Sequence, residues 1–357
     1  MTVTFPHMGY LDLVLETVFH GLGQEVIVPE RPGKKTLERG VRHSPELACL
    51  PFKMNLGDLL YGVEQGADTI LCVVDEGPCR LGYYGTVHQS ILRKMGYDVD
   101  LIPFEYLNPI AFLARMKDLG RGTSWERAFS ALRLGWRKLC ILDEIHAATQ
   151  KLMPHPALAK KVDRLYEYFE GRIRAASTFH ALRTIRKQAK DSFRHLTPSE
   201  SPSLSVALLG EIYVVLEPAV NLHIERLLAK MGVQVLRSLY LSHSIRTAMF
   251  MDPFSRHSKR RALKWAKPYL SVNVGAECNQ SVGKTLIHAA EGCDGVIHLL
   301  PFTCAPEMVA RTVLTKAGRD HSIPFLSIVL DEHTGEAGLM TRLEAFVDLL
   351  ARRKQTR

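Results

Sequence analysis

Leu299-Leu300-Pro301-Phe302-Thr303-Cys304-Ala305-Pro306-Glu307 closes an apolar run that begins at Val296. Pro301 stops the run, a cysteine follows three residues later, and helix-like sequence starts near Pro306. The stretch reads as a strand whose C-terminal end delivers a thiol to a strand-to-helix turn. In open parallel α/β sheets that rim is where ligands bind.

Upstream, the chain repeats the arrangement. Thr69-Ile70-Leu71-Cys72-Val73-Val74 is an apolar run, and Asp75-Glu76-Gly77-Pro78-Cys79-Arg80 follows it. Each run is preceded by Gly-x-Asp: Gly66-Ala67-Asp68 in one copy, Gly292-Cys293-Asp294 in the other. Each copy also has an earlier cysteine, Cys49 and Cys278, at a similar distance from its aspartate. Cys–helix–Gly-x-Asp–strand–Cys is therefore a diverged internal repeat whose period is a domain's length.

A chain of 357 residues exceeds one small core and predicts two or three domains. Its hydrophobic content of 46% and charged content of 23% are those of a globular protein. The apolar runs are far shorter than a membrane span. Met1-Thr2-Val3-Thr4-Phe5-Pro6 lacks the basic region and cleavage pattern of a signal peptide, so the expected location is cytoplasmic. Seven cysteines in such a chain favour metal binding or reactivity over a disulfide framework. The net charge of +9 gathers in two stretches, Arg172 to Arg194 and Arg256 to Lys267. Basic clusters attract phosphorylated ligands, acidic proteins or nucleic acid, and otherwise form solvated helix faces.

Strands alternate with helical segments at both ends of the chain. Val3–Phe5, Glu25–Val28, Thr69–Val74 and Val99–Pro103 read as strands in the first lobe. Leu11–Phe19 and a segment reaching Glu64 read as helices, with Arg31–Arg42 as a basic connector. From Pro109 to about Ser203 the strand signal fades, and amphipathic segments such as Pro156–Gly171 and Ile173–Phe193 predict a helical insert. Ser205–Gly210, Gly232–Leu236 and Pro324–Leu330 then read as strands of a second lobe, with a helix over Val220–Met231. Gly23 and Gly232 precede corresponding strands. The expected fold class is α/β: an N-terminal lobe at 1–108, a helical insert and linker at 109–203, and a C-terminal lobe at 204–357, each lobe a doubly wound parallel sheet.

Cys49, Cys79, Cys278 and Cys304 each fall beside an expected strand-to-helix turn. Two similar lobes facing each other across a cleft would let all four converge. Soft thiolates without a histidine partner favour zinc or an iron–sulfur cluster. Structural zinc usually takes close C-x-x-C pairs, which are absent from these sites. Cys72, Cys140 and Cys293 have apolar neighbours and read as core cysteines. Lys53 and Arg80 follow two of the candidate ligands closely and are candidates to contact an anion or a substrate. Cys278-Asn279-Gln280-Ser281-Val282-Gly283-Lys284-Thr285 ends like a phosphate loop, but cysteine stands where the first glycine belongs. Lys284 is kept as a candidate anion contact.

Taken as a set, Ser44-Pro45-Glu46, Cys49-Leu50-Pro51-Phe52-Lys53, Gly66-Ala67-Asp68, Gly77-Pro78-Cys79-Arg80-Leu81-Gly82-Tyr83-Tyr84 and Pro301-Phe302-Thr303-Cys304-Ala305-Pro306-Glu307 resemble the 2-hydroxyacyl-CoA dehydratase superfamily. The resemblance points to its branch of CoA-enzyme-activase-associated iron–sulfur proteins and covers both lobes. It implies two flavodoxin-like lobes that hold a cysteine-ligated [4Fe-4S] cluster between them. It implies a separate ATP-dependent activase, with its own iron–sulfur cluster, as the electron donor, an acyl-CoA or other small-molecule substrate, and a role in anaerobic metabolism. It places the ligands on Cys49, Cys79 and Cys304. Cys278 stands where relatives carry a Gly-His-rich turn, which leaves three-thiolate and four-thiolate ligation both open.

Three functions compete at this stage. The first is an iron–sulfur reductase or dehydratase-like component driven by the activase. The second is a cluster-bearing electron carrier or scaffold without catalysis. The third is a zinc-stabilised or metal-free binding protein whose basic insert docks acidic partners or nucleic acid. The first is favoured; no membrane is expected, nucleic acid is not favoured, and a homo- or hetero-oligomer remains open.

Overall fold

The computed structural model describes residues 1–356 except 75–78, 106–113, 115–118, 120–122, 199–201 and 249–252. Two compact units form. The first comprises Met1–Leu139, Leu241–Arg256 and Pro301–Ala305; the second comprises Cys140–Tyr240, His257–Leu300 and Pro306–Arg357.

In chain order the first sheet and its helices are β1 (Thr2–Thr4), α1 (Leu11–Gly21), β2 (Glu25–Ile27), α2 (Lys34–His43), α3 (Leu50–Glu64), β3 (Thr69–Val74), α4 (Tyr84–Lys94) and β4 (Asp100–Glu105). The sheet order is β2-β1-β3-β4, and every pair is parallel. Three helices follow, α5 (Trp125–Leu152), α6 (Pro156–Ala175) and α7 (Phe179–Arg194). The second sheet and its helices are β5 (Leu204–Gly210), α8 (Ile212–Leu216), α9 (Ile224–Lys230), β6 (Val233–Arg237), α10 (Leu241–Ala248), α11 (Pro253–Ala266), α12 (Cys278–Ala290), β7 (Gly295–Pro301), α13 (Ala305–Asp320), β8 (Phe325–Leu330) and α14 (Glu336–Gln355). Its order is β6-β5-β7-β8, which repeats the first sheet strand for strand. The architecture is thus α/β with two four-stranded parallel sheets flanked by helices, as the alternating pattern predicts.

The Gly-x-Asp signature has the same task in both sheets. Gly66 and Gly292 follow the helix before the third strand, at φ of 102° and 82°, which a side chain would resist. The aspartate two residues later latches the start of the first strand. Asp68 Oδ1 accepts from Thr2 N at 2.9 Å, and Asp294 Oδ2 accepts from Ser205 N at 2.8 Å. The latch is reciprocal: Asp68 N donates to Thr2 O, and Asp294 N donates to Ser205 O, both at 3.1 Å. Gly23 and Gly232 likewise share a left-handed φ, 73° and 75°, before the second strand of each sheet.

Helix α3 is buried almost all round, which requires cover on both sides. Leu56, Leu59 and Leu60 are inaccessible and contribute about 1.5–3 kcal/mol each by leaving water. The cover opposite the sheet is α2, where the sequence suggested only a connector. Lys34–His43 carries few apolar residues, so the periodic signal is absent. It docks instead by close backbone approach: a Cβ on Gly40 would collide with the carbonyl of Lys53, and one on Gly57 with that of Thr36. In the second unit Gly283 of α12 stands in the same relation to Ala262 of α11.

Other element bounds also depart from the expectations. The break between α6 and α7 falls at Ala176–Thr178, because the Thr178 hydroxyl caps Ala181 N at 3.1 Å. Helix α9 starts at Ile224 and not at Val220, after Leu222 and His223 take a left-handed backbone. No helix among the described residues is long and apolar enough to cross a membrane.

Candidate functional site

Three of the candidate cysteines, Cys49, Cys79 and Cys304, belong to the first unit. Cys49 is the N-cap residue of α3, and its carbonyl accepts from Phe52 N and Lys53 N. Pro51 in the first turn fixes the helix start. Cys79 precedes a 3₁₀ turn at Arg80–Tyr83 and is half-buried. Asp75-Glu76-Gly77-Pro78, which leads into it in the sequence, lies outside the described residues. Cys304 is buried, and its N–H closes a turn onto Pro301 O at 3.1 Å.

That last turn is strained. Thr303 has φ of 66°, a left-handed conformation that costs a β-branched residue about 1–3 kcal/mol. Hydrogen bonds from the other two cysteine turns hold it. Arg80 Nη2 donates to Thr303 O at 2.6 Å and to Thr303 Oγ1 at 2.8 Å. The Thr303 hydroxyl in turn donates to Leu47 O at 3.1 Å, and Arg80 Nη1 donates to the same carbonyl at 3.1 Å. Arg80 adjoins Cys79, Thr303 adjoins Cys304, and Leu47 lies two residues before Cys49. One guanidinium therefore clasps all three thiol-bearing turns. Its planar fork suits two carbonyls in a way a lysine does not.

Lys53 is buried and donates to Glu46 O at 3.1 Å, so the segment before Cys49 is gripped from a second side. Two of the three basic residues singled out in the sequence, Lys53 and Arg80, therefore act on backbone carbonyls. Around Cys49 the walls are aromatic. Its Sγ and the Tyr84 hydroxyl are hydrogen-bonded. The Tyr84 ring meets Phe52 edge-on with centroids 4.9 Å apart, and the Phe52 and His88 rings pack at a tilt with centroids 4.2 Å apart. His88 Nε2 contacts Phe52 O at 3.2 Å, and burial pushes the imidazole down to about 3. It is neutral at any working pH.

Cys278 lies in the second unit as the first residue of α12. It is inaccessible and packs with Leu209, Val282, Leu286 and Ala310. Burial, with the nearby Glu307 charge, pushes its thiol up to about 12. Cys278 and Cys49 are topological counterparts, each opening the helix before the third strand, but their surroundings differ. Cys72 is a core thiol, also pushed up to about 12 by burial. Cys293 is buried and contacts Ser205 O and Gly295 O, and Cys140 is half-buried.

Gly283-Lys284-Thr285 is not a phosphate loop. It sits inside α12, where Thr285 Oγ1 donates back to Ser281 O at 2.9 Å and Gly283 serves the helix crossing. Lys284 is largely buried and paired with Glu277 at 3.9 Å; burial holds its amine below the usual range. Besides Cys304, which follows β7, the second sheet's rim carries carboxylates. Glu307 is fully buried, bonded to His298 Nε2 at 2.6 Å, with Ser281 Oγ at 3.4 Å on its other oxygen. Burial raises Glu211 to about 7, even though its carboxylate caps Tyr213 N and Val214 N.

Among the described residues, no group of three or more His, Cys, Asp or Glu side chains is drawn tightly enough to hold a metal ion. The basic stretches are partly neutralised: Arg186 pairs with Glu144 at 2.7 Å and Arg261 with Glu291 at 2.9 Å. The Arg256 side chain lies outside the described residues. Sequence reasoning missed the roles of Thr303, Tyr84 and the His298–Glu307 pair. Only Thr303 had a usable signal, a β-branched residue in a turn bounded by proline and cysteine. No protein-family model matches the chain, and no curated protein matches it.

Proposed function

We propose that this chain is an iron–sulfur protein resembling a component of the 2-hydroxyacyl-CoA dehydratases, reduced by a separate ATP-dependent activase. Cys49, Cys79 and Cys304 are the residues that would hold a [4Fe-4S]-type cluster, which would supply low-potential one-electron chemistry. The observation that carries the reading is the Arg80 clasp, which ties the three thiol-bearing turns to one another and sustains a strained Thr303 beside Cys304. Strain of this kind concentrates at functional sites. The donor set is all sulfur, which suits iron–sulfur ligation. A cube spreads its thiolates over separate irons, so it does not need the tight grouping that a single ion needs.

The chain's own residues supply the setting. Lys53 and Arg80 bring positive charge to the segments beside two of the thiols, which would offset the negative charge of ligating thiolates. The core position of Cys278 favours ligation by three thiols, which leaves one iron open to a substrate.

Anaerobic purification followed by iron and acid-labile sulfide analysis tests the proposal. Both should be present in the parent and in Cys72→Ala and Cys278→Ala, and absent from Cys304→Ala and Cys49→Ala. Zinc without sulfide, or unchanged iron and sulfide in Cys49→Ala and Cys304→Ala, overturns it.

A further inference from the structure

We propose that Tyr84 sets the reduction potential of the cluster by donating its hydroxyl hydrogen bond to the Cys49 sulfur. The inference rests on the iron–sulfur reading above and adds a residue that reading does not use. Tyr84 is the first residue of α4, and it reaches Cys49, the N-cap of α3, across the interior of the first unit. Donor and acceptor are both 7% exposed, so water does not compete for the bond. The ring is fixed edge-on against Phe52, which leaves the hydroxyl little freedom to turn away. Behind Phe52, His88 is neutral and bonded to the Phe52 carbonyl, so no ring charge offsets the hydroxyl dipole.

A hydrogen bond to a ligating sulfur withdraws electron density from it and stabilises the more negative, reduced cluster. Removing it lowers the potential. The effect is directional and local: Tyr84 is neither a ligand nor exposed, and only its oxygen matters.

Tyr84→Phe keeps the ring and its packing and removes only the oxygen. In redox titration of the cluster-loaded protein, followed by electron paramagnetic resonance, the variant should show parental iron and sulfide with a more negative midpoint. At the parent's midpoint the reduced-to-oxidised ratio should fall about tenfold, or about 59 mV for one electron. A ring-fluorinated tyrosine at the same position is a stronger donor and should move the midpoint the other way. That substitution preserves shape and decides the question if Tyr84→Phe does not fold. An unchanged midpoint in either protein with the cluster in place, or a shift of the same sign in both, overturns the proposal. Loss of the cluster from a folded Tyr84→Phe protein also overturns it, because the hydroxyl would then hold the site and not tune it. A parent without iron and sulfide fails the underlying reading instead.

Discussion

Replacing Gly283 by alanine should destabilise the second unit, although alanine is the better helix former. An added Cβ would stand 2.5 Å from the carbonyl carbon of Ala262 and 2.8 Å from its Cα, with the carbonyl oxygen nearer still. Carbon atoms settle at about 3.5–4.0 Å, so α11 and α12 must part by roughly 1 Å. Overpacking of this kind costs about 1–3 kcal/mol. Helix propensity returns about 0.8–1 kcal/mol. Separation also loosens the apolar contacts of Val282 and Leu286, so a net loss of about 1–3 kcal/mol is expected. Gly171, inside α6, is the control, because a Cβ there meets nothing within 4 Å. Gly171→Ala should gain about 0.5–1 kcal/mol. Urea unfolding followed by circular dichroism, with thiols kept reduced, measures both. Equal stability of the two variants would refute the crossing argument. A glycine required for phosphate approach would instead alter nucleotide affinity and leave stability unchanged.

His298→Leu should cost about 3–5 kcal/mol, because it strands the buried Glu307 carboxylate; His298→Leu with Glu307→Leu should recover most of that loss in the same urea assay. Glu211 has a folded pKa of about 7 against 4.5 unfolded, so the folded state binds more protons. Its contribution to stability is complete below pH 4.5 and is lost as pH rises through about 7; Glu211→Gln should flatten the parent's decline over that window, and parallel pH–stability curves would count against it. Arg80→Lys loses the two-nitrogen fork that reaches both carbonyls, so it should cost about 1–2 kcal/mol and speed alkylation of Cys304 in metal-free protein, read by mass spectrometry.

The strands and the doubled Gly-x-Asp were legible because each depends on local chemistry: an apolar run, a left-handed glycine and a side-chain acceptor two residues on. Helix α2 was not legible, since Thr36 and Gly40 bury it by backbone approach and leave no hydrophobic stripe. Cys49, Cys79 and Cys304 could be named from the sequence as residues of interest. What joins their turns could not, because the acceptors are the carbonyls of Leu47 and Thr303, and a carbonyl has no letter of its own. The pairing of Tyr84 with Cys49 is hidden for a related reason, since its geometry comes from the packing of α4 beside α3. Gly283-Lys284-Thr285 misleads in the opposite direction: the letters fit a loop, but the preceding residues have already begun the helix.

The clasp also imposes a timetable. Arg80 and Thr303 are separated by 223 positions, so on a ribosome adding about 5–20 residues per second the two meet roughly 10–45 s after Arg80 is made. During that interval the Cys49 and Cys79 turns exist without the third. Residue 303 must be made before Arg80 finds its last two acceptors, the carbonyl and hydroxyl of Thr303. On the iron–sulfur reading proposed above, loading of the site would follow synthesis of Thr303, with the Cys49 and Cys79 thiols held reduced until then.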